Sequence, residues 1–469
     1  MTFSALIPKV KDPMTFSDYR PISLVGCINK VMSKVLVGRL KRVIGKVVSL
    51  EQSAFLSGRS ITDGPLMLNE WMKRAKRKGM IFKIDLEKAY DSISWDFMES
   101  IMIQMNFPVK WCSWIMALVT SARASVLVNG SPTQEFPCFR WLRQGDPISP
   151  FLFVMAMEAM TGIMKKACLE GLYNGLACGN DGPILSHLIY ADDMVFLGEW
   201  SGSNARNLRR LLRCFHLISG LKVNMRKCSL FGVGVGNQEV EELANILRCK
   251  KGSFPFSYLG LQVGANMSLA RYWNTILDTF RNRLSIWKAK NLSIGGRVTL
   301  LKSVLNSLPT YYFSLYRAPE SVLEALDKIR RVFFWGGSEE KAKLNWVKWQ
   351  KVIAPVEYGG LGLGSLKDAN LAMLAKWWWR FKEEPDGLWR RVIWAIHHTA
   401  RDWNYILIKM SVAGLWKQIA RAADEVKRAG VDLTKAIKGF WVQVQKLCFG
   451  SMFGFWTNRW QRRSRTCSR

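Results

Sequence analysis

Three aspartates of this sequence lie where they can act together on a phosphate group. Asp85 ends the run FKID, whose alternating apolar residues predict a β-strand. Asp192 and Asp193 lie between the two apolar runs of SHLIYADDMVFLG, which predict a hairpin with both acids at its tip. Because a strand end and a hairpin tip of one sheet can meet, we expect the three carboxylates to converge.

Such a cluster supports two-metal nucleotidyl transfer. Ligand sets made only of oxygen suit Mg²⁺, and Mn²⁺ can substitute for it. Two ions about 3.5–4 Å apart can activate a primer 3′-hydroxyl and stabilise the leaving pyrophosphate. An ordinary acidic turn is the alternative for Asp192 and Asp193, because Asp often bonds its own backbone in turns.

The elements that would position these acids follow an α+β pattern. Residues 81–263 alternate strand-like and helical runs, with helices at 151–166 and 204–219, which favours a sheet with helices behind it. Residues 264–400 are almost wholly helical and rich in Trp, a spacing more typical of a core than of base stacking. Residues 401–469 fit no assigned element and end in an Arg-rich segment.

The charge of the chain favours a polyanionic partner. Its 469 residues include 68 Lys and Arg against 36 Asp and Glu, a net charge of +32, which is typical of proteins that bind nucleic acid. No apolar run reaches the roughly 20 residues that span a bilayer, and the N-terminus lacks a secretory pattern. The ten cysteines form no CxxC pair, which argues against structural zinc. We therefore expect an intracellular protein without a membrane role.

Six sequence blocks follow one another in a specific order: YRPISL (19–24), QSAFLSGRSITD (52–63), FKIDLEKAYDSISW (82–95), LRQGDPISPFLF (142–153), YADD (190–193) and GLKVNMRKC (220–228). In this order they resemble the reverse transcriptase domain of non-LTR, LINE-type retrotransposons, particularly those of plants. The resemblance continues through FPFSYLGLQVG (254–264) to about residue 400. It implies a right-hand polymerase with fingers, palm and thumb, an antiparallel palm sheet and a helical C-terminal region.

The resemblance also implies domain boundaries. Fingers are expected at 1–80, the palm with finger elements at 81–263, a helical thumb or connection at 264–400, and a truncated, unassigned region at 401–469. The endonuclease and the Cys/His region that flank this domain in the family are not recognisable. We interpret the chain as a polymerase fragment of a longer element or as a truncated genomic copy.

Several residues acquire roles through the resemblance. Asp85 and Asp192 correspond to the two metal-binding acids of the palm, and Asp193 to their less strictly required neighbour. Tyr90 corresponds to an aromatic gate against the ribose 2′-hydroxyl, with a packed core ring as the alternative. Gln144–Gly145 corresponds to the nucleotide-binding turn, where Gly permits close backbone approach.

A second group would contact phosphates and the primer. Arg20 and Arg59 correspond to finger residues that bind the triphosphate and template, with surface salt bridges as the alternative. Lys227 corresponds to the lysine that protonates pyrophosphate. Tyr258 and Leu259 correspond to the primer grip.

Two positions near the RQGDP turn qualify this interpretation. Asp146 followed by proline is typical of a helix start, with Asp146 as the N-cap, and this can coexist with nucleotide binding. Trp141 stands where the family usually has Gly, so a bulky ring would crowd the template side.

The implied function is RNA-directed DNA polymerisation, with an RNA template, a DNA primer or duplex, dNTPs and two Mg²⁺ ions. Three alternatives stay open: an inactive relic that only binds nucleic acid, a protein like a group II intron maturase, and a protein with a merely basic surface. The expected location is nuclear, with a cytoplasmic ribonucleoprotein stage. KRAKRK (73–78) is either a nuclear localisation signal or a solvated helix end.

Overall fold

The computed structural model describes residues 2–74, 78–121, 123–179, 182–286, 292–337, 343–397 and 414–428. The chain divides into two compact units: unit 1 is Met1–Gly64 with Ala75–Phe254, and unit 2 is Pro65–Arg74 with Pro255–Arg469. Residues 75–77 of the KRAKRK segment and the Arg-rich end of the chain lie outside the described residues. The boundaries of fingers, palm and thumb stay predictions.

The strands lie almost entirely in unit 1. They are β1 (Thr2–Pro8), β2 (Tyr19–Leu24), β3 (Gly79–Ile84), β4 (Leu86–Glu87), β5 (Arg123–Val128), β6 (Ser131–Pro132), β7 (Phe136–Pro137), β8 (Leu176–Ala177), β9 (Ile184–Leu185), β10 (His187–Tyr190), β11 (Asp193–Glu199), β12 (Lys222–Val223), β13 (Ser229–Val233) and β14 (Lys250–Lys251). Unit 2 contributes the hairpin β15 (Phe256–Tyr258) and β16 (Leu261–Val263).

The helices are distributed over both units. They are α1 (Cys27–Leu40), α2 (Ile44–Val47), α3 (Asp63–Arg74), α4 (Trp95–Gln104), α5 (Val109–Thr120), α6 (Ser149–Leu169), α7 (Gly202–Ser219), α8 (Asn237–Leu247), α9 (Asn274–Ile286), α10 (Ile294–Leu300), α11 (Thr310–Phe313), α12 (Glu320–Phe334), α13 (Trp349–Ile353), α14 (Leu366–Glu383), α15 (Leu388–His397) and α16 (Leu415–Arg428). Across the described ranges, no helix has both the length and the apolar composition needed to cross a membrane.

The central sheet of unit 1 has the strand order β10-β11-β3-β13-β14. Its first four strands pair antiparallel, and β14 adds a parallel edge. Residues 194–198 of β11 are all buried, because the sheet is covered where this strand runs. The predicted α+β class and antiparallel sheet are confirmed.

A second sheet of unit 1 has the order β2-β1-β5-β6, with β7 also paired to β5. Asn129 and Gly130 join β5 to β6 as a two-residue turn, and both have positive φ, +51° and +84°. That combination is the one a tight hairpin turn with Asn-Gly favours. β2 carries YRPISL, so this sheet brings the first sequence block beside the RQGDP turn described below.

One continuous apolar core unites the helices and the central sheet of unit 1. α6 buries residues around most of its circumference, which is typical of a helix enclosed by other elements. α7 is amphipathic and buries Leu208, Leu212 and Phe215. Both helices match the predicted ranges, because their apolar spacing is long and regular.

Unit 2 is helical apart from its short hairpin, as the sequence predicts. Trp273 and Trp416 are fully buried, and Trp349 and Trp377 are nearly so, which confirms that most of these rings form a core. Trp346 is an exception, with 78% of its surface exposed.

A buried carboxylate ties together three segments of unit 2. Glu70 of α3 is fully buried, and its Oε2 lies 2.9 Å from Nε2 of His397. Its Oε1 accepts a hydrogen bond from the backbone N–H of Trp416 at 2.7 Å. Residues 65–74 therefore fold with the C-terminal helices, although they come early in the chain.

We predict that Glu70→Ala lowers the free energy of unfolding by about 2–4 kcal/mol, since it leaves two buried donors without an acceptor. Urea denaturation followed by tryptophan fluorescence measures this, since most of the tryptophans of the chain belong to unit 2. Glu320→Ala is the control, because Glu320 makes only an exposed ion pair with Lys367 and should cost under about 1 kcal/mol. Equal effects of the two substitutions would contradict the role of Glu70.

Candidate active site

The hairpin of β10 and β11 places its acids at one end of the central sheet. Tyr190 pairs with Asp193, so Ala191 and Asp192 alone form the turn. Ala191 adopts a left-handed conformation with φ of +54°. Such a short turn leaves the Asp192 side chain solvent-exposed at the tip.

The neighbouring strand brings the third acid to the same end. β3 pairs antiparallel with β11, and the last pair of this ladder joins Ile84 to Met194. The next residues along the two strands are Asp85 and Asp193. The structure therefore places the three aspartates at the same end of the central sheet.

These carboxylates influence one another's charge. The pKa of Asp193 is raised, first by burial of its carboxyl and then by the negative charge of Asp192, with a smaller effect of Asp85. Lys227 lies beside them, with Nζ 4.0 Å from Oδ1 of Asp85. The charge of Lys83 acts in the opposite direction and lowers the pKa of Asp193. The cluster is thus an acidic site with lysines nearby.

The arrangement fits a divalent cation. Burial is the main cause of the raised pKa of Asp193, and the charges of Asp192 and Asp85 add to it. A bound cation would relieve that repulsion. Mg²⁺ takes one or two protein carboxylates and completes its shell with waters and substrate phosphates. Within the described ranges, no three His, Cys, Asp or Glu side chains already surround one point closely enough to hold an ion.

Tyr90 lies next to this cluster. It belongs to a short 3₁₀ helix, Ala89–Asp91, and its ring stacks on Phe153 of α6 with centroids 4.7 Å apart. Burial, with a contribution from the charge of Asp192, raises the pKa of Tyr90 to about 12. The ring is partly exposed and held in a fixed orientation, which suits a steric role.

Gln144 and Gly145 form a turn that touches β2. The backbone N–H of Ser23 donates to the carbonyl of Gln144 at 2.7 Å. Gly145 has φ of +108°, and a Cβ at this position would lie 2.9 Å from the carbonyl oxygen of Ser23. Gly is therefore required here both by the backbone conformation and by the close approach of β2.

The expected helix start at Asp146 is wrong. α6 begins at Ser149 with Ile148 as its N-cap. Oδ1 of Asp146 accepts from the N–H of Ile148 at 3.2 Å, and the buried carboxylate pairs with Arg143 at 3.2 Å. The carboxylate thus closes a turn before the helix instead of capping it.

The two predicted finger arginines differ. Arg20 is exposed on β2, and no ion pair forms between it and another described residue. Arg59 donates to the carbonyl oxygens of Val48, Ser49 and Gln52, with 2.8 Å to the first. Its guanidinium is therefore engaged in holding a loop.

The predicted primer-grip residues lie in unit 2. Tyr258 is buried in β15, so its ring belongs to the core of that unit. Leu259 has φ of +51°, and its carbonyl accepts from the hydroxyl of Tyr311 at 2.6 Å. The side chain of Leu259 keeps partial exposure.

Trp141 adopts φ of +151°, a backbone conformation that favours glycine. Its side chain is nearly buried, and its carbonyl accepts from the indole N–H of Trp95 at 3.0 Å. Burial raises the pKa of the nearby Asp91 carboxyl, and the charge of Lys88 partly opposes this rise. Asp91 is a residue that the sequence patterns do not single out.

We predict that Gly145→Ala destabilises unit 1 by at least about 1 kcal/mol more than Gly130→Ala. Both glycines have positive φ, but a Cβ at Gly130 meets no atom within 4 Å. The difference in thermal unfolding between the two variants therefore isolates the contact with Ser23. Equal losses would show that β2 does not press on the turn.

Comparison with known proteins identifies the family. The sequence model described as "Reverse transcriptase (RNA-dependent DNA polymerase)" matches residues 7–263, more than half of the chain. An uncharacterized protein of transposon TX1 from Xenopus laevis is 26% identical over 76% of this chain and 27% of its own length. The Pol polyprotein of retrotransposable element R2DM from Drosophila melanogaster is 24% identical over 78% of this chain and 34% of its own.

Two further matches add detail. A putative ribonuclease H protein from Arabidopsis thaliana is 36% identical over 39% of this chain and 28% of its own length. A solved telomerase from Candida tropicalis matches 79% of this chain and 56% of its own, with 14% identity and a TM-score of 0.35. The chain spans about a third or less of the length of these three curated relatives. The chain belongs to the reverse transcriptase family, and the resemblance to non-LTR retrotransposons is confirmed.

Proposed function

We propose that this chain is an RNA-directed DNA polymerase that extends a DNA primer on an RNA template with dNTPs. The main support for the proposal is that Asp85, Asp192 and Asp193 lie at the same end of the central sheet. Reverse transcriptases generally use divalent metal ions, and an oxygen-only cluster suits them. The chain spans about a third or less of the length of two retrotransposon relatives, which supports the proposal that it is the polymerase part of a longer protein.

Each acidic residue has a distinct task in this proposal. Asp85 and Asp192 would bind two Mg²⁺ ions, with Mn²⁺ as a substitute, and Asp193 would reinforce the negative potential. The ions supply Lewis-acid activation of the 3′-hydroxyl and charge neutralisation at the leaving group. Lys227 would give its proton to pyrophosphate, and its position beside Asp85 supports this role.

The nucleotide would lie between Tyr90 and the Gln144–Gly145 turn. The fixed ring of Tyr90 supports a gate against a ribose 2′-hydroxyl. Gln144 offers amide donors and acceptors, and Gly145 lets the backbone approach the sugar closely. Arg20, exposed on β2, is free to reach a phosphate, whereas Arg59 contributes through the loop that it holds.

Template and primer would be held mainly through their backbones. A net charge of +32 favours strong, salt-dependent binding that is largely indifferent to sequence. The helices of unit 2 would act as the thumb, with Leu259 at the primer grip and Tyr258 fixing its hairpin from within the core. A nuclear location with a cytoplasmic ribonucleoprotein stage follows from such a retrotransposon role.

The inactive relic is the second candidate, and Trp141 is the observation that favours it. A tryptophan in a backbone conformation suited to glycine indicates a local distortion beside the nucleotide-binding turn. The relic would bind template and primer without extending them. No feature of the site favours an intron maturase.

We predict that the purified chain extends oligo(dT) on poly(rA) with Mg²⁺ and that Asp192→Asn lowers the rate about a thousandfold. The loss corresponds to about 4 kcal/mol of transition-state stabilisation by a metal ligand. Asp96→Asn is the control, because Asp96 is an exposed acid of α4 in the same unit.

If the folded chain binds template but neither wild type nor Asp192→Asn extends the primer, the polymerase proposal fails for this chain. Trp141→Gly then distinguishes two cases. Extension by that variant would locate the defect at the ring, and its absence would favour the relic.

We also predict that Tyr90→Ala raises incorporation of ribonucleotides relative to deoxyribonucleotides about tenfold or more. Removal of the ring opens the space that a 2′-hydroxyl would occupy. Tyr90→Phe is the matched control, since it keeps the ring stacked on Phe153 and should preserve discrimination. Single-nucleotide extension with each substrate gives the ratio, and an unchanged ratio in Tyr90→Ala would remove Tyr90 from the gate.

A further inference from the structure

A buried glutamine reaches the turn that carries Asp192. Gln52 retains only 1% of its surface exposed. Its side-chain Oε1 accepts hydrogen bonds from the backbone N–H of Ala191 at 3.2 Å and of Ala54 at 2.9 Å. One side-chain atom therefore links its own loop to the tip of the β10–β11 hairpin.

The loop that contains Gln52 pairs with β10 at the edge of the hairpin. The N–H of Ile189 donates to the carbonyl of Glu51 at 2.9 Å, and the N–H of Ser53 donates to the carbonyl of Ile189 at 3.0 Å. These bonds form a parallel bridge between Gln52 and Ile189. The backbone of Gln52 is thus fixed beside Ile189 of β10, two residues before the turn.

The turn needs such support because its conformation is unfavourable. Ala191 has φ of +54°, which costs a residue with a Cβ about 1–2 kcal/mol. The residue is buried, so its N–H would cost about 1–3 kcal/mol if it lacked an acceptor. Gln52 supplies that acceptor and so stabilises the left-handed turn.

Two other side chains, those of Arg59 and Glu158, hydrogen-bond to the same loop. Arg59 donates to the carbonyl of Gln52 and to those of Val48 and Ser49. Glu158 of α6 accepts from the N–H of Ser49 at 3.0 Å and from its hydroxyl. Helix α6 and Arg59 therefore fix the loop, and the loop fixes the turn.

We propose that Gln52 is a positioning residue that orients the Asp192 carboxylate for metal binding by holding the Ala191 amide. This inference rests on the proposed function, since it assigns a task within that site. The N–H of Ala191 belongs to the peptide that joins Tyr190 to Ala191, and rotation of that peptide changes φ of Ala191. Because Asp192 follows directly, a change in this φ changes the direction of its carboxylate. Gln52 touches neither substrate nor metal in this account.

Gln52→Met tests the proposal, because it keeps the length of the side chain and removes the acceptor. The Mg²⁺ concentration for half-maximal extension should rise about tenfold. This factor corresponds to the loss of the free energy of one hydrogen bond, which would no longer hold the Asp192 carboxylate in its orientation. The KM for dNTP should stay within about twofold. Gln52→Glu keeps acceptor oxygens and should recover most of the Mg²⁺ response.

Asn204→Leu is the matched control at the other end of the same hairpin. Asn204 is a buried amide that donates to the carbonyls of Asn174 and Glu199 and accepts from the N–H of Asn174. Its loss should lower the melting temperature but leave the Mg²⁺ requirement unchanged. A general loss of stability would affect both variants alike.

Amide hydrogen exchange at Ala191 separates this proposal from the proposed function. If the wild type does not extend primers, the polymerase proposal fails, and exchange alone decides. Faster exchange at Ala191 in Gln52→Met but not in Asn204→Leu supports the positioning role. Unchanged exchange, or an unchanged Mg²⁺ requirement in an active wild-type background, overturns it.

A milder variant covers the case in which Gln52→Met does not fold. Arg59→Lys keeps the charge but loses the fork that binds three carbonyls, so the loop loosens without losing Gln52. It should raise the Mg²⁺ requirement in the same direction by a smaller factor, about threefold. No rise in that variant would also overturn the proposal.

Discussion

The antiparallel pairing of β3 with β11 is the constraint on which the site depends. Its register brings Asp85 to the tip of the β10–β11 hairpin, and a shift of one residue would turn every side chain of the strand to the opposite face. The shift is prevented because both strands bury nearly all their apolar residues in the core of unit 1. Hydrophobic burial therefore sets the distance between charges that would otherwise repel.

Close backbone contacts define the surroundings of this tip. Gly145 lies against Ser23, Gln52 holds the amide of Ala191, and Tyr90 stacks on Phe153. These contacts fix the Gln144–Gly145 turn, the hairpin tip and the Tyr90 ring, so little ordering would remain when a nucleotide binds. Such preorganisation is what a site needs to act on a reaction without first rearranging.

The sequence predicts the parts of this arrangement that depend on local pattern. Alternating apolar residues indicate β3, β10 and β11, and the acids follow from their places at the strand ends. Long regular spacing likewise predicts α6 and α7. The roles of Tyr90 and Gln144 come from the family resemblance instead.

Three other features depend on contacts that form only when the chain folds, and no local sequence pattern indicates them. Arg59 looks like a phosphate ligand in the sequence, but three carbonyl groups brought near by folding occupy its guanidinium. The sequence around Glu70 in α3 does not indicate a buried carboxylate, because its partners His397 and Trp416 come more than three hundred residues later. The contact of Gln52 with Ala191 cannot be predicted for the same reason, since no local sequence pattern indicates it.

The central claim is that Asp85 and Asp192 share a pair of divalent ions. Anomalous X-ray diffraction from a complex of the chain with template, primer, an unreactive dNTP analogue and Mn²⁺ tests it most directly. We expect two manganese peaks about 3.5–4 Å apart, both within coordination distance of Asp85 and Asp192. A complex with nucleotide bound and no manganese between these two carboxylates would contradict it.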